Sequence, residues 1–190
     1  PYYNKPSQEG LYQHYKALAE ASSKPIILYN VPGRTGRNVD AATVIRLAHE
    51  VKNIAGIKEA GENMMQCMEI VKNRPSDFLV VSGDDALILP QMACGVDGII
   101  SVAANAFPAS FSSMVRYGLA QNFSEARAIH YDLLDMYKLL FIENNPAGLK
   151  AFLFEMGLIE NYVRLPLTTL SQPYHKKVKE FLLHYKSKSK

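Results

Sequence analysis

The chain has 190 residues, 48% of them apolar and 21% charged, which is enough for one substantial core and excludes disordered and collagen-like classes. Its formal charge is only +3, and much of it comes from Lys176, Lys177, Lys179, Lys186, Lys188 and Lys190, interleaved with Phe181, Leu182, Leu183 and Tyr185. That pattern reads as the solvated face of a terminal helix with a frayed tail, so no nucleic-acid partner is expected. No apolar run approaches the roughly eighteen residues of a membrane span and no signal-peptide pattern opens the chain, so a cytoplasmic protein without membrane contact is expected. Cys67 and Cys94 are far apart and belong to no CxxC or Cys/His cluster. They read as free thiols, and no metal site is expected.

In chain order, residues 8–22 carry Leu11, Tyr15, Leu18 and Ala19 at helical spacing behind Ser7 as N-cap, and Lys24-Pro25 breaks that helix. Ile26-Ile27-Leu28-Tyr29 reads as a buried strand, 41–51 as a helix capped by Asp40, and 54–58 as a second strand. A helix over 63–72 follows, with Met64, Met65 and Met68 expected in the core, and then a strand over 78–81. Asp85 is expected to cap a helix running to about Cys94. Residues 98–102 read as a short strand, and Pro108 starts a helix to about Ala120. Beyond residue 122 only helices are indicated, over 124–141, 146–156 and 171–185.

Continuous apolar strands alternating with helices indicate parallel βαβ units covered on both faces. An open doubly wound sheet and a segment of a (β/α)₈ barrel both fit that alternation. The first calls for a glycine-rich phosphate turn, and neither GxGxxG nor GxxxxGK[ST] is present. The strand ends instead carry Tyr29-Asn30, Lys58-Glu59, Gly83-Asp84-Asp85 and Ser101. In a barrel such ends converge on one mouth, which favours the barrel. The expected division is a partial barrel over 1–122 and a helical region over 123–190.

Lys58 closes the apolar run Asn53-Ile54-Ala55-Gly56-Ile57. An ammonium at the end of a fully buried strand is poorly placed for stability, because burial disfavours its charged form. A lysine made neutral in this way is a nucleophile that can condense with a ketone to a Schiff base.

The segments Tyr29-Asn30-Val31-Pro32, Arg34-Thr35-Gly36 and Gly56-Ile57-Lys58-Glu59-Ala60 together resemble the signature of the dihydrodipicolinate synthase and N-acetylneuraminate lyase superfamily of class I aldolases. The likeness extends in order through residues 1–12, 79–86, 98–102 and 164–168. It implies a lyase that condenses pyruvate with aspartate semialdehyde to 4-hydroxy-tetrahydrodipicolinate in lysine and diaminopimelate biosynthesis. It further implies that Lys58 forms the imine with pyruvate without any cofactor, and that Tyr29 is the general acid and base. Tyr3 would be offered across a subunit boundary into a neighbour's proton relay, which implies a homodimer or homotetramer. Arg34 would hold the carboxylate of the second substrate, and Gly83 and Ile100 would shape the pyruvate pocket. In the family Tyr2 lies near a lysine feedback site.

Each residue also has a plainer reading. Lys58 taken alone is a solvent-reaching lysine at a strand end, Tyr29 a core aromatic, Arg34 a brace for a Pro-Gly turn, and Tyr2 and Tyr3 interface aromatics. Asp84-Asp85 reads as a helix cap and a satisfied acceptor in preference to a metal site. A complete (β/α)₈ barrel needs about 250 residues and eight strands. Only strands five to eight are expected here, without the Thr-Thr segment that supplies the family's pyruvate carboxylate site. The sequence therefore reads as part of a longer polypeptide, and four strands alone would leave two open sheet edges. Two alternatives stay open: another pyruvate-dependent aldolase such as N-acetylneuraminate lyase, and a truncated, non-catalytic barrel subunit.

Overall fold

The computed structural model describes residues 1–188, in two compact units that divide after Ile100. Lys190, part of the expected terminal lysine face, lies outside the described residues, as do the side chains of Lys186 and Lys188.

The first unit contains α1 (Gln8–Ala21), β1 (Ile26–Asn30), α2 (Pro32–Thr35), α3 (Ala41–Glu50), β2 (Ile54–Glu59), α4 (Met64–Asn73), β3 (Leu79–Ser82), α5 (Ile88–Ala93) and β4 (Gly98–Ile99). The strands are parallel and lie in the order β1-β2-β3-β4. Each new strand joins the same growing edge, so the sheet lacks the reversal of order that defines a doubly wound fold.

Register follows from the apolar pattern. Leu28, Ile57 and Val80 are paired across the sheet and almost fully buried. With Val44, Leu47, Ile70 and Ile88 of the helices they form the core of this unit, each such side chain contributing about 1.5–3 kcal/mol by leaving water. The opposite face is open: Ile27, Tyr29 and Leu79 are all exposed. The expectation of strands covered on both faces therefore holds for one face only.

Several expected boundaries shift for identifiable reasons. The strand expected over 98–102 is only Gly98–Ile99. The Ile100 amide still donates to Ser82, but the Ser101 hydroxyl accepts from the Ala104 amide at 2.9 Å and turns the chain into a short 3₁₀ segment, Ala103–Asn105. Asp85 does not cap α5. Asp84 Oδ1 instead accepts from the Ala86 and Leu87 amides, a local turn that delays the helix to Ile88. On α4 the buried stripe is Gln66, Cys67 and Ile70, whereas Met65 and Met68 are exposed.

The N-terminal ends of the strands are tied structurally. Asn53 Nδ2 donates to the carbonyls of Ala19, Ser22 and Lys24, anchoring the end of α1 beside the start of β2. Arg74 grips both oxygens of Asp97, whose Oδ2 also accepts from the Val80 amide at 2.8 Å.

The second unit contains α6 (Pro108–Leu119), α7 (Phe123–Phe141), α8 (Ala147–Glu155) and α9 (Gln172–Lys188). Its core joins Phe111, Met114, Leu133, Met136 and Leu140 to a ring cluster of Phe107, Phe152, Phe181 and Tyr185. His175 meets Glu155 at 2.6 Å, fastening α9 to the end of α8. Among the described residues no helix is long and apolar enough to cross a membrane.

Burial pushes the Asp97 carboxyl upward, but the Arg74 guanidinium and the Val80 amide outweigh it and hold the group below the ordinary carboxyl range. A lowered folded-state pKa means that this pair stabilises the fold above the unfolded value of about 3.9 and stops doing so as pH falls through the folded value. Asp97→Asn should cost about 1–2 kcal/mol in urea unfolding at pH 7, a figure reduced because Asp97 is partly solvated. The cost should shrink when the same comparison is made in acid.

Candidate active site

The pleat of β2 decides the layout of the site. Successive side chains alternate between faces, so Lys58 and Glu59 must point to opposite sides of the sheet. Their register partners on β1 are Tyr29 and Asn30 respectively. One face thus pairs a tyrosine with a lysine, and the other pairs an asparagine with a glutamate.

On the open face, Lys58 Nζ sits 4.2 Å from the centre of the Tyr29 ring, within the range where a ring face attracts an ammonium. Lys58 is half-buried and Tyr29 is 46% exposed. The full burial expected for Lys58 is therefore not found. Gly83, at the end of β3, lies against the stem of this lysine. A Cβ there would stand 2.9 Å from Lys58 Cε and 2.6 Å from Ala60 Cβ, and the Gly83 amide donates to the Glu59 carbonyl at 2.7 Å. Only the absence of a side chain lets the strand end approach this closely.

The remaining predicted residues lie around this pair to different degrees. Arg34 is on α2, a single turn begun by Pro32 and closed by Gly36 in the left-handed region, and its side chain is exposed. Ile100 is 55% exposed beside the end of β3, joined through its amide to Ser82. Tyr3 is 84% exposed at φ 67° and, among the described residues, makes no hydrogen bond or ring contact with Tyr29. The structure brings together Lys58, Tyr29 and Gly83, and it leaves Tyr3 projecting into solvent.

The covered face holds a cluster that sequence reading missed. Glu59 is 1% exposed and accepts four hydrogen bonds from neutral donors. Asn30 Nδ2 donates to both of its oxygens at 3.0 Å, the Gly61 amide to Oε1 at 2.7 Å, and Gln66 Nε2 to Oε2 at 3.0 Å. Asn38 Oδ1 in turn accepts from Asn30 Nδ2 and from Gln66 Nε2. Asn38 Nδ2 returns a bond to Gln66 Oε1, and Asn30 Oδ1 accepts from the Val39 amide. Four polar residues at 30, 38, 59 and 66 follow no local period, so only the fold assembles them. Beside them Cys67 is buried, and that burial, followed by the charge of Glu59, pushes its thiol up to about 11.

No group of three or more His, Cys, Asp or Glu side chains placed to hold a metal ion occurs among the described residues. A surface depression of about 380 Å³ in the second unit, lined by Ser110, Ser113, Tyr117, Asp132 and Tyr185, contains none of the predicted residues.

The sequence model of the dihydrodipicolinate synthetase family matches residues 1–185. A protein of Parabacteroides distasonis named 4-hydroxy-tetrahydrodipicolinate synthase is 52% identical over 182 residues, which cover 96% of this chain and 61% of the relative. One of the same name from Phocaeicola vulgatus is 52% identical over 188 residues, covering 99% of this chain and 63% of that protein. The crystal structure of dihydrodipicolinate synthase from Aquifex aeolicus superposes with a TM-score of 0.94 at 45% identity, covering 98% of this chain and 64% of that one. The chain thus spans a little over three-fifths of the length of the relatives it matches. Its four sequential parallel strands and following helices are those of the second half of a (β/α)₈ barrel with a helical extension.

The close approach at Gly83 is directly testable. Gly83→Ala must force Ala60 or the Lys58 stem aside, and it should cost about 1–3 kcal/mol in urea unfolding, the usual penalty for overpacking. Unchanged stability would show that the strand ends can part freely.

Proposed function

The chain belongs to the dihydrodipicolinate synthetase family, and from that premise we propose that it carries the imine-forming lysine of a class I aldolase joining pyruvate to aspartate semialdehyde. The observation that carries this reading is the pairing of Lys58 with Tyr29 across adjacent parallel strands, amine over ring at 4.2 Å. The names of the similar proteins support the same chemistry.

In this reading the neutral Lys58 amine attacks the keto carbon of pyruvate, and loss of water leaves a protonated imine. That imine draws electrons from the adjacent methyl carbon, so a proton leaves it and an enamine forms. The enamine carbon then attacks the aldehyde of the second substrate. The amino group of that substrate closes the ring at the imine carbon and expels Lys58 as a free amine. Tyr29, whose phenol both donates and accepts, is the group assigned to carry protons in these steps. Arg34, on the turn directly after β1, is assigned the carboxylate of aspartate semialdehyde, which its planar fork suits better than a sialic-acid chain. Gly83 and Ile100 are assigned to the pyruvate pocket. Tyr2 and Tyr3, both exposed, are assigned to a contact with a second copy of the chain in a homodimer or homotetramer.

Incubation with pyruvate and borohydride should reduce the imine to a stable adduct that peptide mass spectrometry places on Lys58. Lys58→Ala should give none. Tyr29→Phe should slow trapping by about 10²–10⁴-fold, the usual worth of a positioned proton donor. An adduct absent from the wild-type chain, or one mapped to another lysine, would sink the proposal. Faster turnover of sialic acid than of pyruvate with aspartate semialdehyde would instead favour the lyase alternative.

A further inference from the structure

We propose that Glu59 is a positioning residue for the active face, acting through a buried clasp with Asn30, Asn38 and Gln66 that holds Tyr29, Lys58 and the Arg34 turn in one arrangement. This rests on the aldolase reading above and adds a residue to it that touches no substrate.

Glu59 is 1% exposed and has no ion-pair partner among the described residues. A buried carboxylate held only by neutral donors is costly in a fold that could have placed an apolar side chain there. Its geometry shows what it does. Glu59 and Asn30 are register partners one position beyond Lys58 and Tyr29, and the two Asn30–Glu59 bonds of 3.0 Å fix how far β1 and β2 can slide or twist at that point. A shift of the backbone that broke this clasp would move the amine off the tyrosine ring on the other face.

The same clasp brackets Arg34. The chain leaves β1 at Asn30, makes the α2 turn and returns at Asn38 and Val39. Asn30 binds Asn38 Oδ1 at 2.8 Å and the Val39 amide at 3.1 Å, so both feet of the turn stand on residues that Glu59 and Gln66 hold. The acceptor character of residue 59 is the essential chemistry. The Asn30 amide, the Gly61 N–H and the Gln66 amide all point their hydrogens at it, and a carboxylate receives every one. A glutamine of the same shape would turn an NH₂ toward donors and break the cluster without leaving a cavity.

Glu59→Gln is therefore the test, with folding checked by circular dichroism. The rate of borohydride trapping of pyruvate on Lys58 should fall about 10- to 100-fold, the scale of an ångström-level misplacement. Trapping equal to wild type per folded molecule would overturn the proposal. A second readout is independent of pyruvate: acetylation of Lys58 by acetic anhydride relative to Lys138 should change about threefold or more on going from wild type to Glu59→Gln. If wild type traps no pyruvate, the aldolase reading fails on its own, and the acetylation ratio decides this one, an unchanged ratio overturning it.

Discussion

Two residues of β2 set the terms for the rest of the first unit. Because a strand turns neighbouring side chains to opposite faces, Lys58 and Glu59 cannot share an environment, and each inherits the surroundings of its own side. The covered side supplies amides and a buried acceptor, and the open side supplies an aromatic ring and a glycine gap. Parallel pairing with β1 carries the division across to Tyr29 and Asn30. The Lys58–Tyr29 pair and the polar cluster behind it are thus two sides of one register.

The two ends of the sheet have different work. At the N-terminal ends, Asn53 binds carbonyls around the end of α1, and the Arg74–Asp97 pair binds the Val80 amide. At the C-terminal ends, Tyr29, Lys58, Gly83 and Ile100 are left partly open. This asymmetry is the one expected of barrel proteins, where the lower face holds the fold and the upper face carries chemistry. It allows the strand tops to retain groups that would be poor choices for packing alone.

Much of this was legible in the sequence. The strands β1, β2 and β3 were readable because each is a short apolar run bounded by breakers, and the long helices because their apolar spacing persists over several turns. The four residues of α2 gave too little length for any period, although Pro32 and Gly36 mark its limits. The short β4 misled because Ile99, Ile100 and Val102 look continuous while Ser101 diverts the chain. Met65 and Met68 misled for a tertiary reason: Gln66 is drawn into the buried cluster and turns α4 so that those two methionines face out. The motif around Lys58 and Tyr29 was readable because its segments together resemble a family signature. The clasp of Asn30, Asn38, Glu59 and Gln66 was not, since its meaning lies in contacts that span up to 29 positions of chain.

Burial first, and the charge of Glu59 second, also set the chemistry of one thiol on the covered side of the sheet. Cys67 is packed near it, and a thiol held up to about 11 remains almost wholly protonated at neutral pH. Peroxides and alkylating agents attack the thiolate, so this sulfur is sheltered twice, by lack of access and by lack of charge. On the face that holds the geometry, the one cysteine packed beside the cluster is thus a poor target for oxidation.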